Sequence, residues 1–382
     1  MRKNFGVYIH IPFCIKKCNY CDFNSYSGMD GIYDEYVEAL KNEIFLYNPS
    51  CPPLKKGGEG GIYDIISIFF GGGTPTILES WQLLEILEAC RGLLNLTTDP
   101  EVTIEANPET LTKDKLKELR KGGFNRISIG VQSFNDRLLK RLGRIHDSKK
   151  AYQGILSARD AGFENISIDL MFGIPDETLK DWESDIETAL ELNPEHISAY
   201  NLTVEKGTEF WSETQAKACG YQLPDEDRQL EMYERGIELL ISAGYEHYEI
   251  SNFAKTGRRC LHNQIYWRNE EYLGIGAGAY SYINGERQWN IKNPVEYINK
   301  IKGQGARGKG QEIVAGSERL EDKKIMGETI MMGLRMIEGI NLQSFKKRFN
   351  TEISGIKKAL HIFGNLFILC SNGCSSWQPV YH

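Results

Sequence analysis

The chain has 382 residues, 41% apolar and 25% charged, with a formal net charge of −7. That composition excludes a disordered or fibrous chain, and the acidic balance excludes a non-specific nucleic-acid coat, which needs a basic face. No run nears the roughly 20 apolar residues of a membrane span, and Met1 to Phe5 lacks the apolar core and cleavage site of a leader, so the expected compartment is the cytoplasm.

Short Ile- and Val-rich runs alternate with helical patterns. Val7–Ile11, Ile66–Phe70, Val102–Ala106, Ile127–Val131, Ile166–Leu170 and Ile197–Asn201 read as strands. They are continuous rather than alternating, as parallel strands covered on both faces are. Tyr33–Leu46, Ser80–Leu93, Thr112–Lys121, Lys149–Ala161 and Glu177–Leu192 read as the intervening helices, with Ser80 and Thr112 as N-caps. Six β/α units predict an α/β fold with right-handed crossovers. Special residues follow every strand: Cys14 to Cys21, Gly71 to Thr74, Glu105, Gln132, Asp169, then Tyr200 and Asn201. In a β/α barrel that end carries the active site. Six units fall short of eight, so the expectation is an open, partial (β/α)6 barrel of TIM type.

Beyond about residue 205 the rhythm fades. Cys51–Gly61 reads as a surface loop, Leu223–Ala243 as a helix, Tyr245–Ile250 as a strand and Glu318–Ile340 as a Met-rich helix. Ala359 to His382 holds no Asp, Glu, Lys or Arg, and its Cys370 and Cys374 are two ligands short of a metal site. The expected organisation is a barrel over 1–205, an extension over 206–315 and a smaller α-rich C-terminal region over 316–382, the last truncated or altered.

Nine cysteines without a leader read as metal ligands plus free thiols rather than a disulfide framework. Cys14, Cys18 and Cys21 are the informative group. Zinc asks for a fourth ligand, whereas three close thiolates suit three corners of a [4Fe–4S] cluster and leave one iron open. A zinc site or unrelated free thiols are the alternatives.

Tyr8-Ile-His-Ile-Pro-Phe-Cys14 followed by Cys18-Asn-Tyr-Cys21-Asp-Phe23 resembles the radical S-adenosylmethionine (SAM) superfamily. The chain is similar in particular to its branch of oxygen-independent coproporphyrinogen III dehydrogenases (HemN) and HemW-type heme chaperones. Phe69–Thr76, Ile104–Pro108, Gly130–Phe134, Leu142–Arg144 and Ile168–Pro175 extend the resemblance. It implies a radical SAM barrel whose cluster sits on Cys14, Cys18 and Cys21, with SAM on the open iron. It further implies SAM contacts at Tyr8, Tyr20, Gly72, Gly73, Thr74, Glu105, Gln132, Arg144 and Asp169. The residue types suit those roles: glycines let backbone approach a ligand, a carboxylate accepts from an ammonium or hydroxyl, and arginine forks a carboxylate.

Two features divide the branch. The dehydrogenases usually carry a further Cys at the position of Phe23. His262-Asn263-Gln-Ile-Tyr266-Trp267 resembles the HNxxYW motif linked with heme in the chaperones. The resemblance therefore implies heme contacts at His262, Asn263, Tyr266 and Trp267, a heme-acceptor protein, an electron donor, and transient membrane association with respiratory proteins. SAM-dependent decarboxylation of coproporphyrinogen III is the alternative activity. Tyr280 stands where relatives often have His. His10 is expected to pack beside the cluster or bond to its loop, and Cys260 to be a free thiol.

Overall fold

The computed structural model describes residues 3–47, 63–215, 222–304 and 312–351. The Cys51–Gly61 loop and the uncharged tail lie outside the described residues. Strands are β1 (Lys3–Ile11), β2 (Phe13–Cys14), β3 (Tyr26–Ser27), β4 (Tyr63–Gly72), β5 (Leu96–Ala106), β6 (Arg126–Gln132), β7 (Ile166–Phe172), β8 (His196–Asn201), β9 (Glu246–Glu249), β10 (Asn252–Ala254), β11 (Tyr272–Ile275), β12 (Tyr280–Ile283), β13 (Glu286–Asn290) and β14 (Val314–Arg319).

Among the described residues, a 12-stranded sheet runs β14-β13-β12-β11-β1-β4-β5-β6-β7-β8-β10-β9. The six predicted strands form its parallel centre, β1 through β8. The expected partial barrel is thus present, and β11 adds a seventh parallel strand on the far side of β1. Antiparallel strands then extend both ends, so the barrel stays open.

Alternation within the strands makes two unlike faces. Val7, Ile9 and Ile11, Ile127, Ile129 and Val131, and Ile166, Ile168 and Leu170 are buried in the main core. Helix Tyr33–Leu46 covers that face with Tyr36, Val37, Leu40 and Ile44. The other face is polar: Glu101, Thr103, Arg126, Ser128, Ser167, His196 and Ser198 are all buried. A polar barrel interior needs partners for each group, and it is there that the site forms.

Local chemistry sets most helix ends. Thr112 caps helix Lys113–Gly122, accepting from Lys115 N at 3.2 Å. Gly123 ends it in the left-handed conformation, φ 106°. Ser80 is not a cap: it is the first helical residue, and Glu79 closes a capping box with Gln82. The longest over-reading is Glu318–Ile340. Glu318 and Arg319 end β14, the helix spans only Asp322–Gly333, and Gly339 turns with φ 68°. Two of its four methionines, Met332 and Met336, are buried, whereas Met331 is exposed.

Candidate functional site

The cysteine loop leaves β1 at the mouth of the barrel. Cys14 lies in β2, held parallel to β3. Thr74 Oγ1 donates to Cys14 Sγ at 3.6 Å, Arg144 Nη1 to Cys18 Sγ at 3.4 Å, and Cys21 Sγ lies 3.8 Å from Ser25 Oγ. All three thiols line one cavity of about 490 Å³. Burial pushes the Cys14 thiol up to about 11. Among the described residues no three metal-ligating side chains close around a single ion, whereas a cubane spreads three thiolates over three irons. Three thiols on one wall, each with a nearby hydrogen-bond partner, are a donor set that fits that cluster.

The glycine turn after β4 presses on this loop. Gly73 N donates to Ile11 O at 2.9 Å and Thr74 N to Phe13 O at 2.7 Å. A Cβ on Gly73 would stand 2.6 Å from Phe13 O. Gly72 has φ 117° and donates its N–H to Glu105 Oε2 at 3.1 Å. Both glycines therefore serve geometry that a side chain would obstruct.

The remaining predicted SAM contacts, Tyr8, Tyr20, Gln132, Arg144 and Asp169, line the same cavity with Glu105. Burial, with the Asp169 charge adding to it, pushes Glu105 up to about 8. Burial also raises Asp169, although Ser128 Oγ donates to its two oxygens at 3.0 and 3.1 Å. Burial thus disfavours the charge on both acids that face the cavity. Gln132 sits at a bulge in the β6–β7 register with φ 69°, a backbone state rare outside glycine. Arg144 Nη2 donates to Asn107 Oδ1 at 2.7 Å and Gly130 O at 2.8 Å.

The HNxxYW segment is a helix, Leu261–Trp267, docked against the barrel interior. The Glu101 carboxylate accepts Leu261 N at 3.1 Å and His262 N at 3.2 Å, satisfying the helix start. The Cys260 thiol is buried and donates to the same carboxylate at 3.6 Å, so it is a free thiol. His262 is 1% exposed, and burial lowers it to about 3, so the ring is neutral. Its Nδ1 bonds Ser67 Oγ at 2.9 Å and its Nε2 bonds the Tyr266 hydroxyl at 2.9 Å. His262 stacks on Phe69 with centroids 5.0 Å apart, and Tyr8 stacks on both. His262, Asn263, Tyr266 and Trp267 all line the cavity that the cysteines line. Tyr280 does not join that lining.

His10 meets its expectation. Its Nε2 lies 3.0 Å from Asn24 O, three residues past Cys21, and its Nδ1 lies 3.0 Å from the Tyr8 hydroxyl. Asn107, Arg126 and Arg335 are among the lining residues that sequence reasoning missed. Asn107 lies inside the Ile104–Pro108 motif. Arg126 opens β6 and faces inward because alternation places it with Ser128. Arg335 comes from the C-terminal region, and nothing local marks it.

Residues 8–189 match the family model of the radical SAM superfamily, and 320–361 match that of the HemN C-terminal domain. The solved Escherichia coli coproporphyrinogen III oxidase HemN, a radical SAM enzyme, superposes with a TM-score of 0.76 at 24% identity. That match covers 93% of this chain and 80% of the other, and it shows the same fold. An open parallel barrel with three cysteines at its mouth is a radical SAM protein. Curated relatives narrow the class. The heme chaperone HemW of Bacillus subtilis is 40% identical over 92% of this chain and 88% of its own length. The heme chaperone HemW of Escherichia coli is 41% identical over 73% of this chain and 70% of its own. The chain belongs to the HemW family.

Proposed function

We propose that this chain binds heme and passes it to an acceptor protein, with a [4Fe–4S] cluster and exchangeable SAM in the same cavity. The observation that carries the reading is the shared wall: cysteine loop, glycine turn and HNxxYW helix border one cavity of about 490 Å³. That size suits a ligand site. Cys14, Cys18 and Cys21 would hold the cluster, which when bound supplies an electron and an open iron for SAM. Gly72, Gly73 and Thr74 would face the amino-acid end of SAM. Glu105 and Asp169 would accept its ammonium or hydroxyl hydrogens, and Gln132 and Arg144 would offer donors. Tyr8 and Tyr20 would bound it with their rings.

For heme, the reading assigns His262, Asn263, Tyr266 and Trp267. Tyr266 and Trp267 offer flat faces to a porphyrin. His262 reaches iron only by leaving Ser67 or Tyr266, because both ring nitrogens are engaged. An electron donor, and an acceptor met at the membrane surface among respiratory proteins, complete the proposal. No helix among the described residues is long and apolar enough to cross a membrane.

The test is an anaerobic hemin titration of the cluster-reconstituted protein, followed by absorbance, with His262→Ala beside it. Saturation near one heme per chain, weakened in the variant, is the expected result. Binding that does not saturate would remove the heme reading. Protoporphyrinogen formed from coproporphyrinogen III with SAM would replace it with the decarboxylase activity.

A further inference from the structure

The cavity is lined by five cationic side chains, Lys16, Lys17, Arg126, Arg144 and Arg335. Three of them have evident work. The Arg144 fork is taken by Asn107, Gly130 and Cys18. Lys17 Nζ donates to Phe23 O at 3.0 Å. Arg126 is 2% exposed and faces the charges of Glu101 and Asp169. Lys16 is an exposed side chain of the cysteine loop. Arg335 is different.

Arg335 is set on a pinned stretch of backbone. Ile250 N donates to Arg335 O at 3.0 Å, and Ile337 N to Tyr248 O at 3.1 Å, so the backbone that follows the side chain is tied to the end of β9. The guanidinium carbon lies 4.3 Å from the centroid of the Trp267 ring, the last residue of the HNxxYW helix. Stacking of this kind orients the fork. Among the described residues it forms an ion pair with buried Glu249 at 3.7 Å, too long for a hydrogen bond. Arg335 Nε and Trp267 Nε1, two buried donors beside one another, have no acceptor among the described residues. Buried donors left unpaired are costly, and the arginine side chain is still 30% exposed.

We infer that Arg335, stacked on Trp267, is a carboxylate-recognition site for the acidic side chains of a tetrapyrrole in the main cavity. The inference rests on the heme reading above and adds to it the group by which the ligand is oriented. A propionate carboxylate matches the planar fork and supplies a hydrogen-bond acceptor for the donors that Glu249 leaves unbonded. It also gives the tryptophan of the HNxxYW segment a definite task, as the platform that holds the arginine. The C-terminal region then supplies a ligand contact that the barrel alone does not have.

The experiment compares anaerobic binding of hemin and of hemin dimethyl ester, which has no free carboxylate. It uses the cluster-reconstituted full chain and its Arg335→Gln and Arg335→Lys variants. Wild type is expected to prefer the diacid about tenfold, as one charge-assisted hydrogen-bonded pair provides. Arg335→Gln should lose that preference by weakening hemin alone, leaving the diester and the cluster absorbance unchanged. Arg335→Lys, which keeps the charge and loses the fork, should retain part of it and serves as the comparison if the glutamine variant fails to fold. Equal diacid preference in wild type and both variants would overturn the inference, as would equal binding of diacid and diester by wild type. Saturable binding of neither compound would instead remove the heme reading beneath it.

Discussion

Arg144 Nη2 donates to Asn107 Oδ1 at 2.7 Å, and Asn107 Nδ2 in turn donates to Thr74 Oγ1 at 2.8 Å. Thr74 bonds Cys14 and Arg144 bonds Cys18, so one asparagine ties together the residues that touch two cluster thiols. Replacing Asn107 by Ala should leave Arg144 in place on its other two partners, Gly130 O and Cys18 Sγ. SAM affinity is expected to fall about tenfold, the effect of losing a charge-assisted hydrogen bond, while iron content stays at the wild-type level. Equilibrium SAM binding and iron analysis on the same sample check both statements.

Without its cluster the site should be slow to react with alkylating agents at neutral pH. Burial pushes Cys14 up to about 11, and only the thiolate attacks. Iodoacetamide modification of Cys14 in the cluster-free protein should therefore rise about tenfold per pH unit through the alkaline range. Peptide mass spectrometry reads this residue by residue.

Gly73→Ala should disable the cluster rather than the barrel. The added methyl would stand 2.6 Å from Phe13 O, on the strand that presents Cys14. Something must shift, and the neighbour is backbone. Reconstituted iron and the broad visible absorbance should fall severalfold, with helix content by circular dichroism unchanged.

Glu43 makes a pH-dependent contribution to stability. Burial raises its carboxyl from 4.5 to about 7, against bonds from Tyr297, Gly276 N and Asn290. The folded state therefore holds this proton more tightly than the unfolded chain. The resulting stability is complete below 4.5 and is lost as pH rises through about 7. Glu43→Gln cannot ionise. Its stability should improve relative to wild type as pH rises from 4.5 to about 7, by up to roughly 1.4 kcal/mol per pH unit, and its melting temperature with it. Parallel melting curves in the two proteins would contradict this.

The parallel centre was legible because each of its strands is a run of Ile and Val bounded by turn residues. β11 was not, since Tyr272-Leu-Gly-Ile is short, carries a glycine and gains its place by pairing with β1 on one side and β12 on the other. The helix of 318–340 was over-read because apolar period alone does not show where β14 ends. At the site, the cysteines and the barrel-end polar residues were legible from their spacing and position. Arg126 required knowing which way a strand faces, and Asn107 how the chain turns just past β5. Arg335 required tertiary structure outright, because its partner Trp267 lies in a helix far upstream and its exposure is settled by β9. The closed hydrogen-bond pair around His262 was equally invisible, being made from Ser67 on a distant strand.

β1 lies between β4 and β11, with Gly6 beside Tyr272 and Ile9 beside Ile275. Strand β1 therefore acquires its second neighbour only after β11, far downstream, has been made. The same late segment supplies Ala277 O and Lys292 O, which accept from Asn24 in the cysteine loop. Iron–sulfur assembly on a nascent chain would meet these cysteines on a half-supported loop, which gains its second set of contacts only when the segment around Ala277 and Lys292 follows.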